Sequence, residues 1–341
     1  MRLRSLSRVI LGVAATGVFA LQMANAEVNV YSSRQEALIK PLLDKFTEQT
    51  GTKVNLITGG DDALITRLET EGSKSPADLL ITADAGRLHR AKEAGVLQVL
   101  NSAVVNERVP QNMRDTDGYW AGLTMRARPI FYVKGQVDPA NLSTYEALTD
   151  SAFAGRICIR SSSNIYNQSL IASMIEAEGE AKAEAFAKGL VANLARPPAG
   201  GDTDQLKAAA AGLCDIAIAN TYYFGRLTNS EKAADREVAE KLAVFWPNQN
   251  DRGTHVNVSG VGLTAASKNV GDATALIEFM LMEESQTWYS EVNNEYPVVE
   301  TVKPSETLAS WGAFKADALN LTVLGENNRK AVELMDRAGW K

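Results

Sequence analysis

The sequence predicts an α/β protein of two lobes joined by a hinge, and three observations carry that prediction. Segments of strand and helix character alternate from Val28 onwards. An extended run, Ala121 to Val133, interrupts the alternation, which resumes at a strand over Arg156 to Arg160. A second extended crossing, Phe245-Trp246-Pro247-Asn248-Gln249 and Gly253 to Val258, leads back to the first half. Alternation of this kind implies mostly parallel sheets with helices on both faces. Two halves tied by two extended crossover strands form a cleft that can close around a ligand. The expected lobes are 27–125 with 252–300, and 126–251 with 301–341.

The N-terminus stands apart. Arg2, Arg4 and Arg8 precede an apolar stretch from Val9 to Leu21, and Ala24-Asn25-Ala26 has the small-x-small form of a cleavage site. Residues 1–26 therefore read as a secretory signal peptide, with an uncleaved anchor as the alternative. Its removal takes three arginines and no acid, moving the net charge from −6 to −9. An acidic exported chain without a basic patch is not built for nucleic acid. The apolar fraction of 45% and charged fraction of 22% are those of a globular protein, and 341 residues suffice for two cores.

In the first half, Val28 to Tyr31 is a strand followed by the loop Ser32 to Gln35. Leu38, Ile39, Leu42, Leu43 and Phe46 form the apolar stripe of a helix over Ala37 to Thr50, ended by Gly51. Lys53 to Thr58 is a strand, Gly59-Gly60-Asp61 opens a helix that stops at Gly72, and Leu79 to Thr82 is the third strand. Ligands collect at the C-terminal ends of such strands, which selects the Ser32–Gln35, Gly59–Asp61 and Ala83-Asp84 loops. His89, on the next helix, reads as a surface histidine. Ser143 and Thr144 supply an N-terminal cap for a short helix.

In the second half, Ser161-Ser162-Ser163-Asn164 caps a helix from about Ile165, with Leu170, Ile171, Met174 and Ile175 as its apolar face. Tyr166 falls in its first turn. The strand Asp215 to Ala219 leads to Asn220-Thr221-Tyr222-Tyr223-Phe224-Gly225-Arg226. On a regular strand Tyr222 and Tyr223 would face opposite ways, so their joint action requires a strand-to-helix corner, which Gly225 is available to help turn. Cys158 and Cys214 both lie beside strands of this half. In an oxidising compartment they are expected to pair as a disulfide, two buried free thiols being the alternative.

No nucleophile elbow, P-loop, H-E-x-x-H or dinucleotide fingerprint occurs. With two histidines at unremarkable places, acid–base catalysis has few candidates, and the expected class is a binding protein rather than an enzyme. Tyr166, Tyr222 and Tyr223 all fall at C-terminal strand ends, on one wall of the cleft. They fit packing, stacking on a small organic solute, or hard oxygen donors to a trivalent cation, which would bring phenols to their ionised form.

Val30-Tyr31-Ser32-Ser33-Arg34-Gln35, Ser75-Pro76-Ala77-Asp78-Leu79-Leu80, Thr124-Met125-Arg126-Ala127-Arg128, the run Arg160 to Ser169 and the run Ala219 to Arg226 together resemble one family. It is that of the periplasmic ferric-iron-binding proteins of ABC transporters, with the type II solute-binding fold. The resemblance spans the mature chain. It implies Fe(III) held by Tyr166, Tyr222 and Tyr223, and a monomer that delivers iron from the periplasm to a membrane permease. Some members add a histidine or tyrosine after the first strand, where this chain has Gln35-Glu36-Ala37. It is therefore similar to the subgroup with three tyrosines and a synergistic anion such as carbonate. There Arg126 matches the anion-holding arginine of the hinge strand, Arg128 being the other residue in register. Arg34 and Gln35 are expected to reach the anion from the opposing lobe. Arg226 is expected to stand behind the paired tyrosines and balance their charge, or else to be a solvated helix arginine.

Overall fold

The computed structural model describes residues 27–341, so the expected leader lies outside the described residues. The first sheet grows from the alternation. β1 (Glu27–Ser32) is followed by α1 (Lys40–Thr50), β2 (Lys53–Thr58) by α2 (Asp61–Glu71), and β3 (Leu79–Ala83) by α3 (Ala85–Glu93). β1 pairs parallel with β2 and β3. Leu42, Leu43 and Phe46 bury one face of α1. Gly51 ends it at φ 76°, a left-handed conformation that glycine adopts without a Cβ penalty.

After β4 (Leu97–Gln98) and α4 (Ala103–Arg108), the expected extended run divides into β5 (Trp120–Ala127) and β6 (Ile130–Val133). β5 belongs to the first sheet and β6 to the second. The break falls at Arg128-Pro129. The Arg128 amide still bonds the His255 carbonyl at 3.0 Å, whereas Pro129 has no N–H with which to extend the ladder.

The second sheet has the order β7-β8-β6-β9, with β7 (Ile157–Cys158), β8 (Ile216–Ile218) and β9 (Leu242–Phe245) sharing one direction and β6 reversed. Its helices are α5 (Ile165–Glu178), α6 (Glu180–Ala192), α7 (Asp202–Ala210), α8 (Thr221–Thr228) and α9 (Ala233–Lys241). The strand expected over Arg156 to Arg160 is only Ile157–Cys158. Beyond it the Asn167 side chain takes the carbonyls of Arg160 and Ser161, at 2.8 and 3.1 Å, and draws them out of the ladder. Cys158 and Cys214 form a disulfide, Cα to Cα 5.9 Å, inside a core of Phe131, Leu206, Phe224 and Leu242.

The chain returns through β10 (Val256–Thr264), followed by α10 (Val270–Met280), α11 (Glu283–Val292), β11 (Tyr296–Pro297), α12 (Glu306–Ala309), α13 (Thr322–Glu326) and α14 (Asn328–Arg337). The first sheet reads β11-β5-β10-β3-β1-β2, with β4 on β10. β1 to β5 share one direction, and β10 and β11 run against them. α13 packs on both α3 and α5, and α14 on α5 and α6, so the C-terminal segment spans the two halves. His89 is half-buried rather than on the surface, because Gly325 of α13 has no Cβ and lets the imidazole in. At the far end, Trp340 Nε1 donates to the Arg160 carbonyl at 3.1 Å, and Ser162 Oγ donates to the Trp340 carbonyl at 2.7 Å.

Candidate metal centre

Two strand-to-helix corners build the site. At the first, the Asn164 side chain accepts the Tyr166 amide at 3.0 Å, capping α5 and setting Tyr166 in its opening turn. At the second, β8 gives way to α8 after Asn220, whose amide donates to Asp202 Oδ2 at 2.8 Å. Tyr222 and Tyr223 then occupy successive positions in the first turn of a helix, about 100° apart instead of opposed. Their ring centroids are 4.3 Å apart at 37°. Gly225 does not turn this corner. It lies inside α8, where its missing side chain admits Asn294, 2.5 Å from the place a Cβ would take.

The three expected tyrosines meet. Tyr222 donates from its hydroxyl to that of Tyr166 at 3.1 Å, with the Tyr223 ring tilted against that of Tyr222. Burial raises the Tyr222 phenol well above its ordinary value, as do neighbouring Tyr166 and Tyr223, with Arg126 offsetting in part. Burial and then Tyr223 raise Tyr166, again against Arg126. Two crowded, buried phenols stay protonated until a strong positive charge reaches them.

Arg126 and Arg128, adjacent on the crossing in register, have different fates. Arg128 is 1% exposed, and both of its Nη atoms are committed: Nη1 donates to Asp202 Oδ2 at 2.8 Å and Asn220 Oδ1 at 2.9 Å, and Nη2 to Asn167 Oδ1 at 2.7 Å, with only Nε left without a protein partner. It thereby ties both tyrosine corners to the hinge. Arg128→Met leaves the buried Asp202 carboxylate short of its main counter-charge, and should lower unfolding stability by about 3–5 kcal/mol. Urea denaturation of the variant checks this; a loss under about 1 kcal/mol would contradict the pairing.

Arg126 is 2% exposed, with its guanidinium carbon 5.5 Å from the Tyr222 ring centroid. Nη2 donates to Ser259 Oγ and to Glu295 Oε1, whereas Nε and Nη1 are buried without a protein partner. Arg34 donates from Nη2 to Thr124 Oγ1 at 3.0 Å and to Glu295 Oε2 at 2.6 Å, and its Nε is likewise unpartnered. Gln35 is exposed at the start of a 3-10 turn and makes no capping bond, so the structure does not join it to these arginines. Arg226 is exposed, yet its guanidinium lies 5.1 Å from the Tyr222 ring and 5.8 Å from that of Tyr223.

Four residues around this wall have no role assigned to their side chains by the sequence. Glu295 joins Arg34 to Arg126. Arg160 stands 5.6 Å from the Tyr166 ring and 3.5 Å from Asp202. Asp202, in a Pro/Gly-rich stretch, anchors Arg128. Asp84, at φ 83°, is fully buried and accepts from Ser169 Oγ at 2.7 Å and the Gly86 amide at 2.9 Å. Burial raises its carboxyl against the opposing pull of Ser169 and Arg87. Only Asp84 carried a signal, its place at the end of β3. His255 is buried and pushed down to about 3 by burial and by Arg128 and Arg252, which suits a structural role.

Residues 42–316 match the family profile described as bacterial extracellular solute-binding protein. The chain belongs to that family. This solute-binding protein is 49% identical over 315 residues to Iron uptake protein A1 of Synechocystis sp., across 92% of this chain and 88% of the relative. Iron uptake protein A2 of the same organism is 44% identical over 347 residues, 98% of this chain and 99% of the relative. A solved structure of Trichodesmium IdiA (FutA) in complex with iron and citrate ligands superposes with a TM-score of 0.90 at 51% identity, covering 93% of this chain and 100% of that one. The donor set here is of phenol oxygens, hard donors suited to a hard cation. Among the described residues, no group of three or more His, Cys, Asp or Glu side chains offers a rival site.

Proposed function

We propose that this chain is the periplasmic Fe(III)-binding component of an iron-uptake ABC transporter. Tyr166, Tyr222 and Tyr223 hold the ferric ion as phenolates, and an anion, carbonate in the leading reading, completes its coordination. The observation that carries the reading is the convergence of the three phenols beside a buried arginine, Arg126, with unpartnered N–H groups. Three phenolates balance the charge of Fe(III), and the free N–H groups of Arg126 suit an oxyanion at the remaining positions. Both Nη atoms of Arg128 are taken, whereas Arg126 keeps Nη1 and Nε free and lies nearer the Tyr222 ring. This supports Arg126 as the anion's holder, with Arg34 and Gln35 approaching from the lobe that faces the tyrosines. Arg226 over the two rings supports the negative charge that develops there.

The lobes are 27–125 with 252–300, and 126–251 with 301–341, closing over the metal about the two crossings. The match to extracellular solute-binding proteins supports export to the periplasm; the 1–26 leader, delivery to a membrane permease and a monomeric state belong to the same proposal. The work is capture and release rather than turnover. Protonation of phenolates or reduction to Fe(II) undoes the charge match and frees the ion.

The deciding experiment is an absorbance spectrum of the chain with ferric ion, with and without bicarbonate. A phenolate-to-iron charge-transfer band that strengthens with bicarbonate is expected. A colourless protein in excess ferric ion, paired with calorimetric binding of an organic solute, would move the tyrosines to a stacking role.

A further inference from the structure

Glu295 is a buried carboxylate that the iron chemistry above does not use, and it stands between two arginines of the site. Its Oε2 accepts from Arg34 at 2.6 Å and from Thr124 Oγ1 at 2.7 Å, and its Oε1 from Arg126 at 3.2 Å. The loop after β1, strand β5 and the turn after α11 thus converge on one side chain. That turn is held on two sides. Asn294 sits at φ 57°, Asn293 Nδ2 donates to the Leu38 carbonyl at 3.0 Å, and Asn229 donates to Asn294 Oδ1 at 2.7 Å. The same turn touches Gly225 of α8, the helix that carries Tyr222 and Tyr223. Burial alone would raise the Glu295 carboxyl, but Arg34 and then Arg126 outweigh it and hold it down at about 2. Two guanidinium groups against one carboxylate leave a surplus of one positive charge. The groups that bear on Arg126 besides Glu295 are Tyr222, Tyr166 and Asp84.

We infer that Glu295 sets the charge of the anion that shares the iron: by cancelling one of two guanidinium charges, it favours a less charged anion, such as bicarbonate or carbonate, over a more highly charged one, such as phosphate. The inference rests on the ferric reading. Without the carboxylate, an incoming anion meets a second full positive charge. At roughly 6 Å and an effective dielectric of about 20, one unit of charge alters affinity by on the order of 100-fold. Each extra negative charge on the anion then gains by at least about tenfold, allowing for partial screening.

The test forms the ferric complex in bicarbonate, adds phosphate at constant pH, and reads the phosphate-to-bicarbonate ratio that converts half of the charge-transfer band. Glu295→Gln is expected to lower that ratio at least about tenfold, whereas Glu295→Asp, which keeps the charge, stays within about threefold of the parent. A Glu295→Gln ratio equal to the parent's overturns the inference. Should circular dichroism show Glu295→Gln unfolded, Arg34→Gln decides instead. There Glu295 neutralises Arg126 alone, so the ratio must rise, and a ratio that fails to rise overturns the inference. A parent chain without the band sinks the ferric reading and this inference together; a band with an unmoved ratio sinks the inference alone.

Discussion

Tyr223→Phe is expected to weaken ferric binding by more than about 100-fold, beyond what loss of an outer-shell partner costs a metal site. Tyr223 is half-buried and its ring is tilted against that of Tyr222, so phenylalanine keeps the packing and removes only the oxygen. The fold has little reason to respond, because no core hydrogen bond is lost. Two phenolates then face three positive charges, and the charge-transfer band should shift and fade. The measurement is a competition titration against a ferric chelator, with urea denaturation as the control for folding. Parent-like affinity in a folded variant would exclude Tyr223 as a ligand. Tyr222→Phe makes a poorer probe, since it also removes the hydroxyl that donates to Tyr166.

Affinity should also fall steeply as the pH falls. Burial and neighbouring phenols hold Tyr166 and Tyr222 above the ordinary phenol value, so both carry their protons in the metal-free protein at neutral pH. Binding as phenolate releases those protons, and ligands that must lose protons bind more weakly as pH falls. These two protons alone give at least on the order of 100-fold lost per pH unit. A chelator competition run between about pH 8 and pH 6, corrected for the chelator's own protonation, measures the slope. A flat profile would mean that neither phenol is ionised on the metal.

The parts of the fold that the sequence makes legible are those with local causes. α1 has its apolar stripe and stops at Gly51, and β2 runs from Lys53 to Thr58, bounded by turn residues. The extended run from Ala121 looked continuous because the partners that divide it are distant: Asp202 lies 74 positions from Arg128 and Asn220 lies 92. The convergence of Tyr166 on Tyr222 was readable from a positional rule, both standing at strand ends. Glu295 was not. It meets Arg126 across 169 positions, and an acid after two asparagines has no signature of its own. Gly225 misled for a related reason, since its open face serves a contact with Asn294 from another part of the chain.

Trp340, one residue from the C-terminus, bonds both the Arg160 carbonyl and the Ser162 hydroxyl, at the root of the loop that presents Tyr166. A chain synthesised from its N-terminus therefore carries all three tyrosines long before the residue that steadies the loop beneath one of them. The wall is finished only when Trp340 has docked. Until then a nascent molecule has the donors but lacks the contact that steadies one of them.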